Sequence, residues 1–252
     1  MKVKFLGTGT STGVPEIGCQ CEVCTSDDIK NRRLRASVLV SIGDKRILID
    51  CGPDFRQQIL NEEFSPIHGV LLTHEHYDHV GGLDDLRPFC KFDDVDIYSN
   101  SITLEALRIR IPYSFRENKY PGVPSFRLHE IENNTTFNIA DIKIQPIRVM
   151  HYMLPIFGYR IGNFAYLTDV KHIPEEEYAK LKNLDTLVIS ALRIEEHISH
   201  LTLEEALEEV RKIAPRKAYF IHMSHHMGLH EEVQKRLPEN IYLSYDGLEI
   251  EV

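Results

Sequence analysis

The 252-residue sequence predicts an α/β protein, an αββα sandwich in which two mixed β-sheets lie between flanking helices. Three observations predict it. Short β-rich runs recur along the chain, helical patterns lie between them without strict βαβ alternation, and the two halves echo each other. No linker-like stretch divides the sequence, so residues 1–252 are expected to form one domain.

The elements follow in order. Lys2–Leu6, Ala36–Ile42 and Arg46–Asp50 read as strands closed by glycine-containing turns. Gly69–Thr73 is a continuous apolar run, the mark of a strand buried on both faces. Leu83–Phe89 and Glu175–Leu181 are short helical candidates. Asp141–Ile147, Phe164–Thr168, Thr186–Ser190, Lys217–Ile221 and Ile241–Tyr245 repeat the strand style. The clearest helix starts at Thr202, where Leu203, Ala206, Leu207, Val210 and Ile213 follow helical spacing. Thr202 and Glu205 have capping-box spacing, and Pro215 stops the helix. In the echo, Arg46–Asp50 resembles Phe164–Asp169, and Val70–His74 resembles Tyr219–His222. Each half therefore sends polar residues from strand ends towards a shared seam.

Composition narrows the partners. Lys and Arg total 29 against 38 Asp and Glu, a formal charge of −9. An acidic surface repels a phosphate backbone, which disfavours long nucleic acid. No apolar run approaches the ~18 residues of a membrane span. The chain turns at Gly7 before a signal-peptide apolar region forms. A cytoplasmic protein with no membrane partner is expected. The unusual number is 13 histidines, and their spacing points to metal.

His74-Glu75-His76-Tyr77-Asp78-His79 follows the buried run directly, and packing does not call for three histidines and a carboxylate there. Neutral imidazole and carboxylate suit zinc, manganese or iron, and one tight turn can aim them into two adjacent sites. Two metals need further ligands, and His151, Asp169 and His222 each stand at the end of another strand. A second constellation, Cys19-Gln20-Cys21-Glu22-Val23-Cys24, places three thiols in six residues. In a reducing compartment such clustering favours metal over disulfide, and tetrahedral zinc needs a fourth ligand.

These motifs resemble the metallo-β-lactamase superfamily of binuclear hydrolases, from Gly7-Thr8-Gly9-Thr10 to His225. The extension Val80-Gly81-Gly82-Leu83-Asp84-Asp85-Leu86-Arg87 resembles its phosphodiesterase branch, particularly the phosphoribosyl 1,2-cyclic phosphate phosphodiesterases of phosphonate breakdown. The resemblance implies the metallo-β-lactamase fold and two divalent ions, zinc or manganese. His74, His76 and His151 would hold one ion, Asp78, His79 and His222 the other, with Asp169 bridging. It also implies a structural zinc on Cys19, Cys21, Cys24 and His225, with His226 adjacent as an alternative. A metal-bridging hydroxide would attack phosphorus. His200 would serve as general acid or phosphate-stabilising group, with His197 as its rival, and Asp50 would support the metal ligands by hydrogen bonding.

The expected substrate is a small phosphodiester, with a ribose cyclic phosphate as the specific guess. A tRNA 3′-end processing endoribonuclease is the alternative within the superfamily, although the sequence has no basic, Gly/Pro-rich arm. A non-catalytic metal-binding sensor is the alternative outside enzymes. β-Lactam or thioester hydrolysis fits the motifs less well. A homodimer is compatible with the family.

Weaker signals remain. Thr8–Gly13 reads as a rim loop by that resemblance and as a simple turn on its residues alone. Arg32-Arg33-Leu34-Arg35 and Arg108-Ile109-Arg110 could each attract a phosphate, but read better as solvated basic faces. Tyr113, Tyr120 and Phe126, in and beside Pro112–Pro124, read as a substrate lid, a partner surface or core. Cys51 and Cys90 read as packed.

Overall fold

A computed structural model describes every residue of the chain except 117 and 119. The first sheet contains β1 (Lys2–Gly7), β2 (Ser37–Ile42), β3 (Lys45–Ile49), β4 (Gly69–Leu71), β5 (Val95–Ser99) and β6 (Phe126–Glu130). The second contains β7 (Phe137–Ile139), β8 (Ile142–His151), β9 (Leu154–Ile161), β10 (Phe164–Leu167), β11 (Thr186–Ser190), β12 (Lys217–Ile221) and β13 (Ile241–Leu243). The C-terminal β14 (Glu249–Glu251) returns to pair antiparallel with β1. The spatial orders are β14-β1-β2-β3-β4-β5-β6 and β13-β12-β11-β10-β9-β8-β7.

Alternation along the strands builds four layers. In β3, Ile47 and Ile49 face the second sheet, where they join Phe5, Val38, Tyr159, Tyr166 and Ile221. Leu48 points the other way, onto Phe55, Leu83 and Leu86 from the helices outside the first sheet. In β10, Phe164 and Tyr166 face inward, while Ala165 and Leu167 meet Ala206, Val210 and Ile213 of α4 (Leu203–Ile213; helices are numbered here with α1 Phe55–Ile59, α2 Tyr77–Val80 and α3 Ser101–Arg110). Period-2 burial on both faces of a central strand is why these segments read as continuous apolar runs. The αββα sandwich expected from the sequence is the observed architecture.

The echo between halves is real for one strand pair and misassigned for the other. Each sheet runs as an antiparallel meander followed by parallel strands. The parallel run begins at the β3–β4 pair in one sheet and the β10–β11 pair in the other. Topology therefore matches β3 with β10, as the sequence suggested, but matches β4 with β11 rather than with β12. Both β4 and β12 deliver a histidine at the end of an apolar strand, and that local likeness concealed their different places in the sheets.

Local chemistry explains the helices. Thr202 Oγ1 accepts from Glu205 N at 3.1 Å and Glu205 Oε2 accepts from Thr202 N at 2.8 Å, closing the expected capping box. The other two helical candidates are 3₁₀ segments, Leu83–Lys91 and Glu175–Leu181. The first contains Pro88, which removes an N–H donor from an α-helical ladder. Of the aromatic residues left open above, Phe126 is core, Tyr113 donates to Asp84 at 2.8 Å and Tyr120 is exposed. Residues 117 and 119 of the Pro112–Pro124 segment lie outside the described residues.

Close backbone approach locks the loop that follows β4 onto the end of β3. Cys51 N donates to His79 O at 2.8 Å, and Gly82 N donates to Cys51 O at 2.9 Å. A Cβ at Gly52 would overlap the Asp78 carbonyl, and one at Gly82 would overlap the Gly52 carbonyl. Gly52→Ala is therefore expected to cost about 1–3 kcal/mol in urea denaturation. Gly43→Asn has nothing within 4 Å and a φ of +58° that Asn tolerates. It should change stability by less than about 0.5 kcal/mol.

Candidate metal centre

The seam between the sheets is where the strand ends deliver their polar side chains. At the end of β4 the chain leaves the first sheet, with Thr73 O accepting from Phe157 N of β9 at 3.0 Å. The following turn enters α2, which carries Asp78 and His79. Three further residues reach the seam through left-handed backbone conformations at strand ends: Asp50 (φ 61°), Asp169 (φ 54°) and His222 (φ 62°). Asp and His tolerate that region better than most residues, and such conformations concentrate where function needs a side chain re-aimed.

The donor atoms fall into groups. Those of His74, His76 and His151 all lie within 4.8 Å of one another, as do those of Asp78, His79, Asp169 and His222. Asp169 also groups with His151 and His200, which puts it between the two sets. His79 Nε2 is 3.2 Å from both Asp78 Oδ2 and Asp169 Oδ2, and His222 Nε2 is 3.3 Å from Asp169 Oδ1. The sequence-expected residues therefore meet in one place. Apart from His76 at the mouth, they are buried.

The partners outside the cluster fix how the imidazoles present themselves. His79 Nδ1 lies 2.7 Å from Asp50 Oδ2, an oxygen that only accepts, so Nδ1 carries the proton. His151 Nδ1 donates in the same way to Ser199 O at 2.9 Å. Thr73 Oγ1 donates to Asp50, which leaves it to accept from His74 Nδ1 at 3.0 Å. In each ring Nε2 is then a bare lone pair. For His74 and His79 that atom is buried without a hydrogen-bond partner. Orphaned lone pairs beside carboxylates fit a cation, and imidazole with carboxylate is a donor set for zinc, manganese or iron.

Burial works against ionising Asp78 and Asp169, but the imidazoles of His79 and His222 outweigh it and hold both carboxyls below the usual range. Burial also works against charging His79, but Asp78, Asp169 and Asp50 outweigh it and raise that imidazole well above its ordinary value. The Nε2 position between the carboxylates therefore favours a positive charge, whether a proton or a metal ion in its place. Burial, with His79 beside it, pushes His74 well down into its neutral form. Burial likewise pushes His200 down to about 3. His200 is the nearer of the two rival histidines, with its ring 4.6 Å from His151 and 5.1 Å from His222. The His197 ring lies tilted against it at 5.0 Å, and its Nδ1 accepts from Ser199 N.

Sequence reasoning missed Thr73, Thr168 and Ser199. Thr168 Oγ1 donates to Asp169 Oδ2 at 2.7 Å, as Thr73 does to Asp50. The available signal was a hydroxyl residue immediately before the strand-end ligand in each half. Asp50 takes the supporting place expected for it, accepting from His79, Thr73 N and Thr73 Oγ1.

The cysteine cluster assembles with His225, all four donor atoms lying within 4.8 Å of one another. His225 Nδ1 faces Cys24 Sγ at 3.3 Å, while His226 Nε2 meets the far side of that ring at 2.9 Å. His225 is therefore the histidine that faces the thiols.

The rim loop lies beside these residues, Thr10 N donating to Met223 O at 3.1 Å and Met223 N to Thr8 O at 3.0 Å. The basic cluster behind it is not a solvated face. Arg33 is buried, donating to Thr8 Oγ1 (2.8 Å), Ser244 O (2.7 Å) and His230 Nδ1 (3.1 Å). Arg35 pairs with Asp54 at 3.1 Å. A guanidinium satisfied on several sides can be buried, which composition alone does not reveal. Arg32, Arg108 and Arg110 are exposed as expected. Cys51 is packed in the core, and Cys90 is partly buried against it.

Residues 45–223 match the β-lactamase superfamily domain. The chain belongs to that superfamily. It has the metallo-β-lactamase fold of the superfamily's hydrolases. A diphosphatase from the PhnP family is 38% identical, with a TM-score of 0.93 over all of this chain and 97% of that one. The zinc-bound PqqB of Methylobacterium extorquens, at 21% identity, shares the fold with a TM-score of 0.82 over the full length of both chains. An octanoyltransferase of Porphyromonas gingivalis is 48% identical over 251 residues, 99% of this chain and 51% of that protein. The chain thus spans about half the length of that relative. Among the described residues, no helix of this superfamily member is long and apolar enough to cross a membrane.

The Arg33 network generates a pH prediction. Burial, with Arg33 beside it, pushes His230 down to about 4 from an ordinary 6.5. Between those values the unfolded chain binds a proton that the folded chain refuses. The stability concerned is complete above about pH 6.5 and lost as pH falls towards about 4. Buried Asp246, pushed up to about 6, acts with the opposite sign, losing stability as pH rises through that region. Urea denaturation of wild type and His230→Gln isolates the histidine. The variant should lose less stability than wild type between pH 7 and 4.5.

Proposed function

We propose that this chain is a metal-dependent phosphodiesterase acting on a small cyclic phosphate ester, with a ribose cyclic phosphate as the first candidate. The observation that carries the proposal is Asp169, whose carboxylate stands between a three-histidine donor group and an Asp-His-His group. The 38% identity to a diphosphatase supports chemistry at phosphorus.

His74, His76 and His151 would hold one divalent ion, and Asp78, His79 and His222 the other, with Asp169 shared. Ions bound there would supply Lewis acidity to a phosphoryl oxygen and make water acidic enough to deliver a nucleophile at neutral pH. The chain's own groups do the rest. Asp50, Thr73 and Ser199 orient the imidazoles, so little reorganisation is needed when a substrate binds. His200, beside Asp169 and held neutral by burial, is placed to hydrogen-bond a phosphoryl or leaving oxygen from one ring nitrogen. Cys19, Cys21, Cys24 and His225 would hold a structural zinc that ties the 19–24 loop to the strand end bearing His222.

Charge separates this reading from tRNA 3′-end processing. At −9 the chain has little to attract a long phosphate backbone. The octanoyl transfer named for the longer relative is a distinct chemistry, and the same assay can test it.

A panel of bis-p-nitrophenyl phosphate, 2′,3′-cyclic nucleotides, ribose 1,2-cyclic phosphate, a tRNA precursor and an octanoyl thioester ranks the readings. Cyclic or simple phosphodiesters should lead. Zinc- or manganese-loaded protein that cleaves none of them is not a phosphodiesterase. Asp78→Ala should lower phosphodiester turnover at least about a hundredfold with circular dichroism unchanged. Cys21→Ser should lower metal content from three ions per chain to two, and an unchanged count would remove the structural zinc from the proposal.

A further inference from the structure

We propose that His226 is a positioning residue for the cysteine site: it accepts a hydrogen bond from His225 and so keeps the other nitrogen of His225 free to bind a cation. This inference rests on the structural-zinc reading above and adds the group that prepares its histidine ligand.

The nitrogen of His225 that faces the thiols is Nδ1, 3.3 Å from Cys24 Sγ. A histidine binds a metal ion through a bare lone pair, so a neutral His225 that binds through Nδ1 must carry its proton on Nε2. That Nε2 lies 2.9 Å from His226 Nε2, with the two ring planes inclined at 72°. Two imidazole nitrogens at such a distance share one proton. A bare Nδ1 on His225 settles which ring supplies it: His225 donates, and His226 accepts with its own proton on Nδ1.

Glu16 supplies the opposing pull. Its Oε2 lies 3.7 Å from His225 Nδ1, and a carboxylate there favours a proton on Nδ1, the form that cannot bind a metal ion through that atom. At 3.7 Å the contact is too long for a hydrogen bond, whereas the His226 contact has full hydrogen-bond length. Only the carboxylate of Glu16 competes, since its backbone N–H donates to Cys24 Sγ at 3.4 Å. The acceptor on His226 therefore decides which face of His225 is left bare towards the thiols.

The turn carrying His226 is pinned. Ser224 Oγ accepts from His226 N at 3.3 Å and donates to Leu192 O at 3.0 Å. Buried Met227 closes the turn, its N donating to Ser224 O at 3.1 Å. His226 itself is exposed, so its place against His225 serves no packing requirement. Groups that orient a metal-binding imidazole in this way typically contribute about 10- to 100-fold in metal affinity. Water competes for a bond at the surface, which puts His226 at the lower end of that range.

Cobalt reads this site separately. Thiolate ligands give an intense sulfur-to-cobalt charge-transfer band, and the seam cluster offers only nitrogen and oxygen. Cys51 and Cys90 join no donor group among the described residues. Cobalt titration of the full chain, followed by displacement with zinc, should give about tenfold weaker binding at that band for His226→Phe, which has no acceptor. His226→Gln, whose Oε1 can accept, should stay within about threefold of wild type. Nitrogen-15 NMR of the zinc-loaded wild type should show His225 bound through Nδ1 with its proton on Nε2, and His226 bare at Nε2. Should His226→Phe fail to fold, that spectrum decides alone. Wild-type affinity in His226→Phe, an equal loss in His226→Gln, or metal bound by His226 itself or by His225 Nε2 overturns the proposal. A wild type that gives no thiolate-to-cobalt band overturns the structural-zinc reading, and this inference with it.

Discussion

The buried carboxylate of Asp50 is the contact on which the rest of the seam depends. Fully enclosed at the end of β3, it accepts from His79 Nδ1, from Thr73 N and from Thr73 Oγ1. An ionised carboxylate in such a place is tolerable only when it is paired and hydrogen-bonded. Those same bonds determine which nitrogen of His79 faces Asp78 and Asp169. Through Thr73 they also orient His74, so one buried group sets the lone pairs of two others.

The two-sheet core makes that arrangement rigid. Inward-facing residues of both sheets interlock beneath the seam, and helices close the outer faces. Side chains that must converge within a few ångströms are thus carried on strand ends and short turns. The glycine contacts at 52 and 82 bring the Asp78 turn close enough to share the site with Asp169. Precision here comes from packing, because the 73–79 stretch must meet Asp50, His151, Asp169, His200 and His222, which come from distant parts of the chain.

The two halves solve the same problem in parallel. Asp50 and Asp169 end equivalent strands, adopt the same left-handed backbone conformation and accept from a threonine. Their neighbours then separate them. Asp50 is closed off beneath His79, whereas Asp169 stands among His79, His200 and His222 at the centre of the donor groups. One repeated local design therefore yields a supporting carboxylate in one half and a central one in the other.

Much of this was legible in the chain itself. The period of the apolar residues determined the strands and the sandwich, because burial on both faces leaves an unmistakable pattern in β4, β10 and β11. The turn from His74 to His79 and the three clustered cysteines announced cation chemistry, because those donors serve no packing purpose at such spacing. Other features had no local signature. The match of β4 with β11 depends on sheet order, and the burial of Arg33 depends on Thr8, Ser244 and His230 arriving from distant parts of the chain. The choice of His225 and the nearness of His200 depend on which way rings point once the strands are in place. Sequence determined which chemical groups were available and where each strand ended. Only the tertiary structure decided which of them face one another, because hydrogen bonds and lone pairs are directional and partners such as Arg33 and Ser244 lie 211 residues apart.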